Sequence, residues 1–414
     1  MWHSRPRLCE LPGTAEGGRA TYQSATDRAT AAGATDWLLQ LARPTDSNES
    51  MSRVVLAMSG GVDSSVAAWL LREQGHEVVG VFMRHGQDRP ATSASCGKQG
   101  CCTAADAADA RRAAEMLGIP FYTVNFQQEF DRIVDYFVAE YTAGRTPNPC
   151  IVCNTWLKFG RLFDYADGIG AEYVATGHYA RLVLLPGGEH ALYRGLDESK
   201  DQSYVLFGIR RELLPRLLFP VGEHRKTEIR QIAERLGLSV AAKRDSQEIC
   251  FVPDQDHARF IRERRGDLDT SGEIVTTDGA VVGRHDGFER FTVGQRRGLR
   301  VAFGEPRYVV RVEPATRRVV LGTRDELART ELSAAGANWL VGTEGLGVGD
   351  WGLGEAFRAR VKIRYRSPAA DATVYPRPDG GFHVRFNESV HGIAPGQAAV
   401  CYDGDRLVGG GWIE

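Results

Sequence analysis

The chain has 414 residues, of which 43% are hydrophobic and 25% charged, and its 51 Lys plus Arg against 53 Asp plus Glu leave a net charge of −2. That length fits about two to four domains with ample packed core, and no apolar run approaches the roughly 18 residues that a membrane-spanning helix needs. The charge balance excludes a generally basic nucleic-acid coat but not a local basic patch, and eight cysteines are too sparse for a disulfide scaffold.

Residues 1–50 are rich in Ala, Thr, Ser and Gly, and their one short apolar stretch runs from Trp37 to Leu41. Five arginines face six acids there, which argues against a transit peptide, and no basic start precedes an apolar segment as in a secretory signal. The segment reads as a disordered extension ahead of Met51, and deleting it is expected to leave activity intact.

Val54-Val55-Leu56-Ala57-Met58 is a short apolar run of the kind a buried parallel strand uses. Ser59-Gly60-Gly61-Val62-Asp63-Ser64-Ser65 follows at once, and Val66, Ala67, Leu70 and Leu71 then recur at helical spacing until Gly75. In a strand, Gly-rich loop, helix sequence, backbone N–H groups approach an anion closely, and Ser64 or Ser65 is expected to cap the helix. No G-K-[ST] follows, so this is not a Walker A loop. Gly347 to Gly352 matches G-x-G-x-x-G, but without strand–helix context it reads as a flexible loop. Further strands are expected at Glu77–Met83, Pro120–Val124 and Tyr173–Thr176, and helices at Thr103–Leu117, Gln127–Ala143 and Thr155–Ile169. Repeated strand–helix units imply a parallel sheet with helices on both faces, binding ligands beyond the carboxyl ends of its strands. Met83 and Gly177 then become candidate adenosine contacts beside the loop after Met58.

Cys150-Ile151-Val152-Cys153 follows Thr146-Pro147-Asn148-Pro149, which is expected to form a rigid loop that places both thiols ahead of the helix at Thr155. A helix N-terminus favours the thiolate. The C-x-x-C pair alone fits a zinc site, a redox dithiol or a nucleophile with a neighbour, and Cys96, Cys101 and Cys102 could complete a zinc site. Cys250, between Ile249 and Phe251, reads in isolation as a buried inert thiol. Cys9 and Cys401 carry no partner pattern. Farther on, Glu228–Leu236 is an amphipathic helix in a small linker region, where Arg262, Arg264 and Arg265 form either a solvated face or phosphate contacts. From about Val281 short strands dominate. Along Glu355–Arg366, Phe357, Ala359, Val361, Ile363 and Tyr365 alternate with Arg358, Arg360, Lys362, Arg364 and Arg366. Period-two alternation puts the cations on one face, which favours a phosphate surface. Asp379-Gly380-Gly381 reads as a hairpin turn in a small antiparallel barrel.

From Met51 to Glu414 the chain resembles the bacterial tRNA-specific 2-thiouridylase family of PP-loop ATP pyrophosphatases. The resemblance is carried by SGGVDSS at 59–65, GRTPNPCIVCN at 144–154, ATGHYAR at 175–181 and LDESKDQSYVL at 196–206. It continues in KRDSQEICF at 243–251, TVGQRRGL at 292–299 and APGQAAV at 394–400. It implies an α/β PP-loop domain at 51–215, of the adenine nucleotide alpha hydrolase type, a linker domain at 216–275 and a tRNA-binding β-barrel at 276–414. The implied reaction, a sulfurtransferase reaction in the cytoplasm, adenylates O2 of the wobble uridine 34 with ATP and magnesium and releases pyrophosphate. A persulfide on Cys250 then delivers sulfur to C2, AMP leaves, and Cys153 resolves the persulfide through a transient disulfide. The nucleotide contacts implied are Ala57, Met58, Ser59, Gly60, Gly61, Val62, Asp63, Ser64, Met83 and Gly177. The tRNA contacts implied are Asn148, Pro149 and Cys150 at the target base, His178, Lys200, Asp201 and Gln202 nearer the anticodon, and Arg364, Tyr365 and Gln397 on the barrel. The implied partners are tRNAs for Lys, Glu and Gln and a persulfide relay protein or cysteine desulfurase, the enzyme itself acting as a monomer. Other members carry Asp at position 150, so an acid–base role is not carried over to Cys150; Cys150, Cys153 and Cys250 could instead ligate an oxygen-sensitive Fe–S cluster. Two other classes share parts of the pattern: a PP-loop enzyme that adenylates a small carboxylate, and a zinc-stabilised RNA-binding protein without turnover.

Overall fold

The computed structural model describes residues 51–85, 103–245, 249–252, 256–266, 268–342 and 356–414. The N-terminal extension, Cys9, Cys96, Cys101, Cys102 and the glycine-rich segment at 347–352 lie outside the described residues.

The first half builds a five-stranded parallel sheet from β1 (Arg53–Ala57), β2 (Glu77–Arg84), β3 (Phe121–Asn125), β4 (Tyr173–Thr176) and, after an intervening hairpin, β7 (Leu217–Leu218). The strand order is β3-β2-β1-β4-β7. Val54, Val55 and Leu56 have no exposed surface, so the central strand is covered on both faces, as its unbroken apolar run predicts. The covering helices are α1 (Val62–Glu73), α2 (Ala104–Leu117) and α3 (Gln127–Thr142). A continuous helical stretch follows, comprising α4 (Pro149–Val152), a π-helical segment Cys153–Arg161 and α5 (Leu162–Gly168). Thr103 and Asp106 form a reciprocal capping box on α2, and Gly118 closes it in the left-handed conformation, as a Gly just past a helix end should. Because β2 lies on one side of β1 and β4 on the other, the chain reverses its direction of sheet growth at the carboxyl end of β1. The nucleotide loop sits at that switch point.

Between β4 and β7 the chain forms the hairpin β5 (Ala180–Leu184) and β6 (His190–Arg194). α6 (Lys226–Arg235) and α7 (His257–Arg265) follow, and then a four-stranded sheet of β8 (Gly272–Thr276), β9 (Val281–His285), β10 (Tyr308–Glu313) and β11 (Arg318–Gly322). The arginines of α7 are engaged: Arg264 pairs with Asp131 at 3.1 Å, and Arg262 and Arg265 reach the fully buried Glu289 at 3.5 and 3.4 Å.

After the short α8 (Arg324–Leu327), six strands close a barrel: β12 (Ala328–Trp339), β13 (Phe357–Lys362), β14 (Ala370–Pro376), β15 (Phe382–His391), β16 (Ala398–Asp403) and β17 (Arg406–Ile413). The order is β12-β15-β14-β13-β16-β17, and β17 pairs back onto β12. The expected turn at Asp379 joins β14 to β15, with the Gly381 N–H donating to the Asp379 carboxylate at 2.9 Å. β6 pairs with β17, so a hairpin of the nucleotide half extends the barrel sheet. One apolar core unites Val55, Val81 and Phe163 with Tyr204, Phe207, Val400, Tyr402 and Leu407. The Tyr204 hydroxyl donates to the Ala398 carbonyl at 3.0 Å, and the Asn338 side chain donates to the Ile209 carbonyl at 2.7 Å.

Phe207 is 2% exposed and meets Trp412 edge-on at 5.7 Å between centroids. Replacing it with Ala is expected to cost about 3–5 kcal/mol, read as a lowered urea midpoint by circular dichroism; a midpoint unchanged from wild type would contradict a shared core at this point.

Candidate active site

The nucleotide loop is held open by close backbone approaches. Gly60 has φ +73°, and a Cβ there would collide with the Asp106 carbonyl; a Cβ on Gly177 would lie 2.8 Å from the Ser64 nitrogen. Both positions therefore need glycine. Ser64 and Ser65 do not cap α1. Gly61 is the N-cap residue and α1 has no side-chain cap; the Ser64 hydroxyl accepts from the Ser59 N–H at 3.3 Å, and the Ser65 hydroxyl donates to the Gly61 carbonyl at 2.9 Å. The serines brace the loop from behind while the N–H groups of the first turn stay available, the arrangement that binds phosphate. Ala57 and Met58 are buried beneath the loop, and Met83 packs half-buried at the end of β2.

A set of cations converges on this loop. The Lys226 ammonium donates to both Asp63 oxygens at 2.7 and 2.8 Å, and the Tyr179 hydroxyl donates to the same carboxylate at 2.7 Å. Burial and then the Asp63 carboxylate push the Tyr179 phenol well up, so it remains a donor. Asp245 accepts from Lys200, Lys226 and Arg230, each at 2.8 Å. Burial alone would raise its carboxyl, but the Lys200 and Lys226 ammonium groups outweigh this and hold it at about 2. Lys243 bridges the Gly60 carbonyl at 2.9 Å, Asp106 at 2.6 Å and Asp109 at 2.7 Å. It thus ties the loop to the start of α2.

The thiols sit differently from the sequence expectation. Helix starts at Pro149, not at Thr155, because Asn148 accepts from the Cys150 N–H at 3.2 Å as N-cap and Pro149 occupies the first helical position, both favoured placements. Cys150 is exposed in that first turn, and Cys153, half-buried, opens the π-helical segment. Segments of this kind recur at functional sites. Cys250 is also half-buried, and it and Cys153 pack against one apolar cluster that contains Phe126, Val152, Leu157 and Val252. Two cysteines 97 positions apart in the chain thus share one apolar wall. Cys401 is buried inside the barrel, where desolvation pushes its thiol up.

The residues matched to tRNA contacts fall into two groups. The first is engaged within the protein. His178 is buried and hydrogen-bonded to Thr176 at 2.7 Å, and burial, then Lys158, pull its pKa well below the ordinary range. Asp201 accepts from the Ser203 N–H at 3.0 Å, Gln202 from the Tyr179 N–H at 3.0 Å, and Gln397 donates to the Thr146 carbonyl at 2.8 Å. Lys200 pairs with Asp245. Arg364 also belongs here. The strand expected to reach Arg366 ends at Lys362, the chain turns, and the Arg364 guanidinium donates to the Gly392 carbonyl at 3.0 Å and the Val293 carbonyl at 2.5 Å. The alternation therefore stops, and the outward cations are Arg358, Arg360 and Arg366. The second group faces out. Tyr365 is 36% exposed, with the Lys362 ammonium 5.6 Å from its ring. Burial, then the charges of Asp201 and Cys150, raise the Tyr365 phenol.

Residues 52–254 match a family model described as the tRNA methyl transferase HUP domain, 258–323 the tRNA methyl transferase PRC-barrel domain and 329–413 the aminomethyltransferase beta-barrel domain. A tRNA-specific 2-thiouridylase MnmA from Rhodopirellula baltica is 53% identical over 392 residues, covering 88% of this chain and 96% of that protein. The chain belongs to the tRNA-specific 2-thiouridylase family. Another relative of that name, from Geotalea uraniireducens, is 49% identical and covers 89% of this chain and 96% of its own length. Among solved structures, the U34-tRNA thiolase NcsA from Methanococcus maripaludis with its 4Fe-4S cluster aligns with a TM-score of 0.35 at 16% identity, over 56% of this chain and 80% of that one. That likeness is too distant to bear on chemistry here.

Lys226, Arg230, Lys243 and Asp245 escaped the sequence reading, as did Tyr179 and Asp106. One signal was present: Arg225 and Lys226 open a helix at its positive end, where cations oppose the macrodipole, and such a placement calls for acceptors from elsewhere in the fold. Among the described residues, no three His, Cys, Asp or Glu side chains converge where one metal ion could bind them.

Two outcomes are expected. Gly177→Ala should weaken ATP binding by about tenfold or more, since displacing a positioned loop is costly, whereas Gly187→Ala, whose Cβ meets nothing within 4 Å, should not; calorimetric titration of ATP checks both. His178 has a folded pKa below its unfolded value of 6.5, so below that pH the unfolded chain binds the proton first and stability falls. His178→Asn should therefore lose less stability than wild type between about pH 7 and pH 5, measured by urea midpoints across a pH window set by the unfolded histidine value.

Proposed function

We propose that the chain is a tRNA 2-thiouridylase that converts uridine 34 to 2-thiouridine with consumption of ATP. The observation that carries this reading is the pairing of a phosphate-binding loop at the sheet's switch point with Cys153 and Cys250 on one apolar wall. A pyrimidine carbonyl oxygen leaves poorly, and transfer of AMP to O2 makes it a good leaving group as pyrophosphate departs. The loop N–H groups and the Lys226 and Lys243 ammonium groups would hold phosphate charge during that step. Asp63 is the loop carboxylate that would hold magnesium, which usually takes one or two carboxylates plus phosphate oxygens; the ion would neutralise phosphate charge.

In the sulfur step the terminal sulfur of a Cys250 persulfide attacks C2 and displaces AMP. The Cys153 thiolate then attacks the Cys250 sulfur, which breaks the S–S bond, leaves the sulfur on the base and forms a Cys153–Cys250 disulfide. A thiol reductant restores the pair. Among the described residues no three Cys, His, Asp or Glu side chains gather where one metal ion could bind them, and no step is assigned to an Fe–S centre. The exposed Tyr365 ring suits stacking of an extruded base, and Arg358, Arg360 and Arg366 suit the phosphate backbone. We further infer a division at 51–215, 216–275 and 276–414 between nucleotide, linker and RNA-binding parts. The enzyme would act as a cytoplasmic monomer on tRNAs for Lys, Glu and Gln, with sulfur supplied by a persulfide-carrying protein.

Nucleoside mass spectrometry of unmodified tRNA incubated with protein, ATP and a persulfide donor should show 2-thiouridine for wild type and none for Cys153→Ser or Cys250→Ser. Product from either variant at the wild-type rate would remove that thiol from the mechanism; pyrophosphate release driven by a small carboxylic acid without RNA would replace the reading. Arg358→Gln with Arg360→Gln should flatten the salt dependence of tRNA binding by about 0.7–0.9 per lost phosphate contact; an unchanged slope places the RNA elsewhere.

A further inference from the structure

Lys226 occupies an unusual position for a lysine. Its side chain is 8% exposed, and its ammonium sits between two carboxylates. An ammonium has three donors. All three are spent: on Asp63 Oδ1 at 2.7 Å, on Asp63 Oδ2 at 2.8 Å and on Asp245 Oδ1 at 2.8 Å. The acceptors are nearly as fully used. A carboxylate has about four lone-pair sites. Asp63 Oδ1 accepts from Lys226 and from the Tyr179 hydroxyl, and Oδ2 accepts from Lys226, which leaves a single site, on Oδ2. Asp245 takes Lys226 and Arg230 on Oδ1 and Lys200 on Oδ2.

A compact positive charge held by the oxygens of two carboxylates is the setting in which a small divalent cation binds, and here the ammonium fills that place. Asp63 therefore fits magnesium through one oxygen only. An ion arriving alone would meet the Lys226 charge at close range, with both carboxylates already paired. Phosphate oxygens change both terms. They bring negative charge to the first turn of α1, where Asp63 lies, and each one that accepts from Lys226 can release a lone pair on Asp63. We propose that Lys226 is a positioning residue that reserves Asp63 for an ion carried in with the nucleotide. Its ammonium is the resident cation of the two carboxylates until phosphate draws it away. The proposal rests on the reading of Asp63 as the magnesium carboxylate, and it adds that the ion binds there only together with nucleotide phosphates.

The test uses the full chain without tRNA and Mn²⁺ as the probe, since manganese takes the same oxygen ligands as magnesium. Binding is counted by electron paramagnetic resonance with and without a non-hydrolysable ATP analogue. Wild type should bind Mn²⁺ weakly alone and about tenfold or more tightly with the analogue, as the charge count of the ligands rises. Lys226→Met strips the ammonium from both carboxylates, so Mn²⁺ alone should bind about tenfold or more tightly than to wild type, while the analogue binds more weakly. A merely structural lesion would weaken both. Mn²⁺ should also raise the urea midpoint of Lys226→Met and leave that of wild type unchanged, and adding Asp63→Asn should abolish the new site. Tyr179→Phe frees a second Asp63 lone pair and keeps the ammonium. It carries the test if Lys226→Met does not fold, with Mn²⁺ alone bound about threefold more tightly than to wild type, the worth of one ordinary hydrogen bond. Mn²⁺ bound alone by wild type as tightly as by these variants would overturn the reservation. Asp63→Asn by itself separates the two readings: Mn²⁺ retained at wild-type affinity with the analogue sinks Asp63 as the magnesium ligand, whereas an ion indifferent to Lys226→Met sinks the role of the lysine.

Discussion

The shared apolar core around Tyr204 and Phe207 is the constraint on which the rest depends. It belongs at once to the parallel sheet, through Val55 and Val81, and to the barrel, through Val400, Tyr402 and Leu407. A nucleotide loop on one body and an exposed cationic strand on another keep a fixed separation only if the two bodies share a core. Burial of this kind, at about 25 cal/mol per Å² of apolar surface, fixes it more firmly than surface ion pairs can. The pairing of β6 with β17 adds backbone hydrogen bonds to the same junction.

Polar chemistry is layered onto that rigid frame. The cations at the loop are contributed by α6, by the segment before Cys250 and by the segment around Lys200, none of which belongs to the strand–loop–helix unit that gives the loop its shape. Confined ion pairs of this type add little net stability. What they supply is arrangement: they bring distant stretches of chain to one place and hold them in register with the phosphate site.

Much of this was legible in the residues. The apolar run at Val54, the SGGVDSS loop and the amphipathic helix periods carry local information, and the parallel sheet followed from them. The barrel was legible from period-two patterns and the turn at Asp379. What was not legible depended on long-range partners. Arg364 fits the alternation of its neighbours, yet the carbonyls of Gly392 and Val293 capture it. Cys250 reads as an inert core thiol until Val152 and Phe126 are known to share its wall. The helix start at Pro149 was hidden because a proline before a helix and a proline in its first turn look alike in sequence, and only the Asn148 cap tells them apart. Lys226 had no local acceptor to betray its role.

The π-helical segment Cys153–Arg161 has a consequence for how such chains can diverge. A wider turn amounts to an extra residue accommodated within a helix, and its presence ahead of α5 sets the rotational phase of everything before it. Removing one residue between 154 and 160 would let the stretch relax to ordinary α geometry, and at 3.6 residues per turn the preceding thiols would swing by about 100° around the axis. A single insertion or deletion there would therefore turn Cys153 away from the wall it shares with Cys250, whereas a substitution on the outer face of the segment would leave its direction unchanged.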